Sequence, residues 1–174
     1  MATETQPVLA RYHIAESILS FAGAGIAGTL YLAHRAQVDL PCTSDGGCAT
    51  VAASQWAHVS LGPLHDVPVA LLGLISYVAL LALAMSKLAS DEIKSVRWLT
   101  AAMLCVSGFG FGYSWFLQYV SFVKLSAHCI YCISSACIMT VLFGTLIKEW
   151  TVLKGIPDAE ATVSAPESDY AKQE

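Results

Sequence analysis

The chain has 174 residues, of which 56% are hydrophobic and only 13% charged, and its mean hydropathy is +0.60. Ordinary soluble domains carry roughly 25% charged residues, so these charges are too few to cover a soluble surface, and the length suits one domain rather than two. The net charge of −4 does not describe a field over the whole protein, because Asp158, Glu160, Glu167, Asp169 and Glu174 all follow the last apolar run, and no basic, aromatic-interleaved patch points to nucleic acid.

A helix needs about 20 mostly apolar residues to cross a bilayer, and four stretches qualify. Residues 1–13 read as a cytoplasmic N-terminal tail. They carry no basic cluster and no small-residue cleavage site, so the first apolar run, Ile14 to His34, is expected to be a retained helix rather than a removed signal. A loop from Arg35 to Asp66 follows. It holds Cys42, Cys48 and a stretch suited to a short helix, Ala49 to Ala57. The second span runs from Val67 to Ala89 and is joined by the polar turn Ser90 to Arg97 to the third, Trp98 to Val120. Ser121 to His128 leads into the fourth span, Ile130 to Ile147. Residues 151–174 are polar and acidic, with Pro157 and Pro166, and are expected to be a disordered cytoplasmic tail.

The fold class expected is therefore an all-α integral membrane protein. Residues 14–150 form a four-transmembrane-helix bundle with a long outward first loop containing a short helix. Small residues four apart, Ala24 with Gly28 and Gly108 with Gly112, suggest close helix contacts, or ordinary glycine use in membrane helices. Apart from Glu16 near one end, no ionisable residue is expected well inside a span, which argues against an ion carrier.

Lys and Arg near helix ends set orientation. Arg11, Lys87, Lys94, Arg97, Lys148 and Lys154 fall on one side, and Arg35 and Lys124 on the other. The richer side should be cytoplasmic, with both termini inside. The expected location is a bacterial inner membrane with the first and third loops on the periplasmic side.

Cys42, Cys48, Cys129 and Cys132 all fall on that outer side, where disulfides form and persist. Cys129-Ile130-Tyr131-Cys132 opens the fourth helix. Free N–H groups and partial positive charge at a helix start favour a thiolate, and the thiolate is the reactive form. His128 beside it adds positive charge when protonated. A static disulfide, or a zinc site made by all four cysteines, is the alternative. Pro41 and Gly46-Gly47 make the Cys42–Cys48 segment a flexible turn, suited to a pair that meets two partners in turn, or to a loop staple. Cys105 and Cys137 inside the spans read as inert buried thiols. No GxGxxG, Walker or haem-attachment motif is present. The electron acceptor should then be one that a bundle admits from lipid, and a quinone fits. No metal is expected. His58, His65 and Asp66 read as solvated loop residues; a place at the mouth of a quinone site, moving protons, is the alternative.

From about Ala15 to Ile147 the chain resembles the vitamin K epoxide reductase family, and its bacterial members in particular. The resemblance rests on Cys42 and Cys48, then Ser54 and Trp56, then Pro68-Val69-Ala70-Leu71-Leu72-Gly73, then Cys129-Ile130-Tyr131-Cys132, in that order. It implies that Cys42 and Cys48 relay electrons from a separate thioredoxin-like dithiol protein and that Cys48 attacks the Cys129–Cys132 disulfide at Cys129. It further implies that Cys132 faces a quinone of ubiquinone, menaquinone or vitamin K type. Ser54 and Trp56 would support that quinone, although Ser54 also suits a hydroxyl bonded to its own backbone. The vertebrate enzymes carry a Tyr where this chain has Ala136, and they space the loop cysteines more widely, which favours quinone over epoxide reduction. The other bacterial four-helix quinone-linked disulfide generator has its CxxC in the first outward loop, the reverse of the order here. A structural four-helix membrane protein with static disulfides is the non-enzymatic alternative.

Overall fold

A computed structural model of the chain describes residues 2–36, 38, 47–61, 64–90 and 92–156. Its four long helices are α1 (Ala2–Ala36), α3 (Val69–Leu88), α4 (Ile93–Val120) and α5 (Ile130–Lys154). Each is long and apolar enough to cross a membrane, so the four-helix expectation holds. Between α1 and α3 lie α2 (Gly47–Ala52), a 3₁₀ turn (Gln55–Ala57) and the strands β1 (His58–Leu61) and β2 (Leu64–Pro68).

Helix ends differ from the sequence-based bounds. The first helix starts at Ala2 rather than at Ile14, and α5 runs on to Lys154. At that end Arg97 on α4 donates to the carbonyls of Leu153 at 3.0 Å and Ile156 at 2.6 Å. It thereby satisfies acceptors that a helix C-terminus leaves open. The expected acidic tail beyond residue 156 lies outside the described residues. The expected loop helix, Ala49 to Ala57, is instead the shorter α2 followed by the 3₁₀ turn.

The hairpin β1–β2 is an element that alternation did not reveal. His58 pairs with Pro68, and Val59 with Val67, antiparallel. Pro68 has no N–H to give the ladder, and its extended backbone then starts α3.

Helix α1 packs most broadly on α3, α4 on α5, and α1 on α5. Their shared core is Ala27, Tyr77, Leu80, Ala84, Met103, Met139, Leu142 and Leu146. Of the α1 glycines, Gly23 lies nearest to α3, where it faces the Tyr77 ring. A Cβ on Gly23 would stand 2.1 Å from the Tyr77 ring, whereas one on Gly28 would make only ordinary contact. Gly108 does lie close to Phe143, but nothing approaches Gly112 within 4 Å. The Tyr77 hydroxyl donates to the Ser135 carbonyl at 3.0 Å, tying α3 to α5.

One expectation is corrected. Cys105 and Cys137 are exposed on the outer faces of their helices rather than buried; a small apolar thiol loses nothing by facing lipid. More consequential is a charged cluster inside the bundle. Lys87 Nζ donates to Glu16 Oε2 at 2.7 Å and to Glu149 Oε2 at 2.5 Å, and all three side chains are fully buried. His13 Nε2 lies 2.9 Å from Glu149 Oε1. Glu16 is thus joined near the span ends by Lys87 and Glu149, a charge in lipid being tolerated when a partner neutralises it.

Candidate active site

Helix α5 is capped by its own Cys-Ile-Tyr-Cys motif. Cys129 has an extended backbone, and its Sγ accepts the N–H of Cys132 at 3.4 Å, which occupies one of the free donors of the first turn. The chain reaches that cap through a π turn over Ser121–Leu125, closed by Ser126 in the left-handed region at φ 48°. Single residues off the helical path redirect the chain sharply, and this one turns it from α4 into α5.

Both thiols of the motif are free, Cys129 buried and Cys132 half-buried. The Cys129 thiol is pulled down to about 7, chiefly because the Cys132 thiol donates to its sulfur. Burial opposes this, while the N–H groups of Cys132 and Tyr131 add to it. Above about pH 7, then, the first charge of the pair rests on Cys129. Its alkylation rate should rise with pH to a midpoint near 7, whereas an ordinary thiol titrates near ~8.5. Removing the donor with Cys132→Ala should move the midpoint upward. Pulsed alkylation across pH, read by mass spectrometry, checks both; a midpoint above 8 in the unaltered chain would refute the cap's effect.

Cys48 is buried at the start of α2 and is disulfide-bonded. Cys42, Pro41 and Gly46 lie outside the described residues. What brings Cys48 to the motif is Gly47. A Cβ there would meet the His128 carbonyl oxygen at 2.4 Å and the His128 nitrogen at 2.9 Å. Both are backbone atoms, so they cannot swing aside. Gly47→Ala should therefore push α2 away from Cys129. Misplacing reacting groups by about 1 Å can cost about 100-fold, so transfer between Cys48 and the motif should slow by about tenfold or more. Stopped-flow reoxidation of the loop pair by the oxidised motif measures it; an unchanged rate would mean that the close approach is incidental.

Cys48, Cys129 and Cys132 line one cavity of about 460 Å³, within the range of about 300–1,000 Å³ typical of small-ligand sites. Its wall is mostly apolar: Ala27 and Leu30 from α1, Leu72 from α3, Leu117 from α4 and Met139 from α5. The polar groups are few. Ser54 lines it, and its hydroxyl also donates to the Val51 carbonyl at 2.7 Å, so both sequence readings of Ser54 hold at once. Trp56 lines it too, edge-on to Phe116 with ring centroids 5.9 Å apart. His58 belongs to the same wall rather than to a solvated loop. The side chains of His65 and Asp66 lie outside the described residues.

Sequence reasoning missed His34, Tyr77, Ser135 and Gln118, which also line the cavity. No motif marks them, because they come from four different helices. Gly47 was seen only as a flexible turn residue, although its neighbour Cys48 could have signalled a tight approach. Among known families, the model described as the Vitamin K epoxide reductase family matches residues 15–147.

Proposed function

This chain belongs to the vitamin K epoxide reductase family, and on that basis we propose that it is a thiol:quinone oxidoreductase supporting disulfide formation in other proteins. Family membership makes it an integral membrane oxidoreductase of quinone-linked redox chemistry. The observation that carries the finer reading is that Cys48, Cys129 and Cys132 line a single apolar cavity between the helices. An apolar, flat acceptor is retained there by burial, and the thiols are the groups able to reduce it.

The reaction balances as follows. A dithiol of a separate thioredoxin-like protein reduces the loop disulfide through a mixed disulfide. The Cys48 thiolate then attacks Cys129 Sγ, breaking the Cys129–Cys132 bond and releasing the Cys132 thiolate. Cys42 resolves the Cys48–Cys129 bond, which restores the loop disulfide and leaves the motif as a dithiol. That dithiol gives two electrons and two protons to a quinone, forming a hydroquinone and the Cys129–Cys132 disulfide. Each 30 mV of potential between the couples is worth about 1.4 kcal/mol, so a quinone of higher potential drives the sequence toward disulfide. The active cysteines then face the periplasm of a bacterial inner membrane.

Epoxide reduction is the weaker reading. Ala136, buried in α5, brings no hydroxyl to the position where the vertebrate enzymes carry a tyrosine.

The test is quinone reduction by the purified chain in detergent, driven by a dithiol and followed by quinone absorbance. Turnover with ubiquinone, menaquinone or a vitamin K quinone is the expected result. Absence of turnover with all three, under conditions where the loop disulfide is shown to be reduced, would overturn the proposal.

A further inference from the structure

One side of the apolar cavity carries two buried polar side chains. Gln118 lies in the last turn of α4, and Ser121 begins the π turn that follows. They are 7% and 5% exposed, and both line the cavity. Three residues apart, they are neighbours on one face of the helix. Among the described residues neither side chain has a hydrogen-bond partner. By contrast, the Tyr77 hydroxyl on the same wall donates to the Ser135 carbonyl at 3.0 Å, and the Ser54 hydroxyl to the Val51 carbonyl at 2.7 Å.

A buried amide or hydroxyl without a partner costs stability, and native structures keep few of them. These two open into the cavity, so they are satisfied by what fills it; a few placed polar groups in an apolar pocket are what orient a ligand. The backbone fixes where the pair sits. The Ser121 N–H donates to the Gln118 and Leu117 carbonyls. The Ser121 carbonyl accepts the Ala127 N–H at 3.2 Å, and Ala127 is two residues before Cys129. The pair is thereby tied to the segment that delivers the Cys-Ile-Tyr-Cys motif, whose cysteines line the same cavity. Single π turns of this kind are frequent at functional sites.

We propose that the Gln118 amide and the Ser121 hydroxyl hold one ring oxygen of the quinone beside the motif, both before and after reduction. An amide offers N–H donors and a carbonyl acceptor, and a hydroxyl both donates and accepts. The quinone oxygen only accepts, and it takes the Gln118 N–H and the Ser121 O–H. Once the motif dithiol has supplied electrons and protons, the same oxygen carries a hydrogen, which it donates to Gln118 Oε1 or to Ser121 Oγ. The pair binds and orients the ring and transfers no electrons itself. An isoprenoid tail, with no oxygen to offer, gains nothing from it. The inference rests on the quinone reading and adds to it the groups that hold the ring.

The probe is a short-chain ubiquinone added to the purified full chain in detergent. Gln118→Met keeps the length of the side chain and removes both donor and acceptor. It should raise KM for the quinone by about five- to tenfold, the worth of one neutral hydrogen bond, with kcat falling far less, as expected for lost binding. Ser121→Ala should act in the same direction. Without quinone, Gln118→Met should melt at or above the wild-type temperature, because an unbonded amide has given way to an apolar group of similar shape. An amide with only a structural role would do the opposite, lowering the melting temperature and leaving KM alone. Infrared difference spectra with quinone isotope-labelled at the ring carbonyls give a readout on the wild type itself, whether or not the variants fold. A ring C=O stretch lowered from its value in free quinone is expected, and it should move back in Ser121→Ala. Wild-type carbonyl bands matching free quinone, or variants that keep the wild-type KM and band positions, would overturn the proposal and leave the quinone reading standing. A wild type that neither binds nor reduces quinone would overturn that reading, and this inference with it.

Discussion

Replacing Cys132 with alanine is expected to lower dithiol-driven quinone reduction by about a thousandfold or more, because removing one member of a group that acts as a unit abolishes nearly all of its effect. Two electrons leave the motif as its disulfide closes, and a single thiol cannot close one. Cys129→Ala should be equally inactive for the same reason. The two variants separate the roles within the pair. In the dithiol, Cys129 is the more acidic thiol, held by the Cys132 thiol and N–H. The family resemblance nevertheless assigns the quinone contact to Cys132. If that is so, Cys129→Ala with quinone bound should still show a charge-transfer absorbance from the Cys132 thiolate, and Cys132→Ala should not. The reverse pattern would give Cys129 the contact. Residual turnover above a few per cent in either variant would show that the motif is not the terminal donor.

The second large effect is on stability. Lys87→Met should destabilise the bundle by about 3–5 kcal/mol, the usual penalty for leaving a buried charge without its partner. Glu16 and Glu149 each lose the ammonium that bridges them, and two carboxylates are then left facing each other in an apolar interior. Thr100 and His13 still contact Glu149 but do not neutralise both carboxylates. Thermal unfolding in detergent measures the loss. The triple variant Lys87→Met, Glu16→Gln, Glu149→Gln should recover most of it, because replacing a whole buried ion group is often close to neutral. A single variant costing under about 1 kcal/mol would show that the cluster is not holding the helices together. Lys87 lies ten residues beyond Tyr77 on α3, about 15 Å along the helix. Between them, Leu80, Ala84, Met103, Leu142 and Leu146 are buried. Quinone chemistry should therefore survive in any variant that folds.

Much of the architecture was legible in the residues because hydropathy is a local sum. A run such as Val69–Leu88 declares a span without reference to the rest of the chain. Cys129 and Cys132 announced themselves in the same way, since three-residue spacing at the start of an apolar run puts both sulfurs on one turn. The π turn and the left-handed Ser126 escaped notice because Ser121–Leu125 holds no glycine, proline, asparagine or aspartate to mark a break. The hairpin escaped because β1 and β2 are four and five residues long and read as loop.

The amino-acid order by itself determined the four spans, the place of the redox motif at a helix start, and which side of the membrane each loop is expected to face. Only the tertiary structure decided how those helices are rotated and registered against one another. Glu16, Lys87 and Glu149 meet across α1, α3 and α5, so a scan of each span alone sees isolated charges or misses them. The same holds for Gly47 against His128. Each pair is distant in sequence, and its meaning lies in a separation of a few ångströms that packing sets and periodicity does not encode.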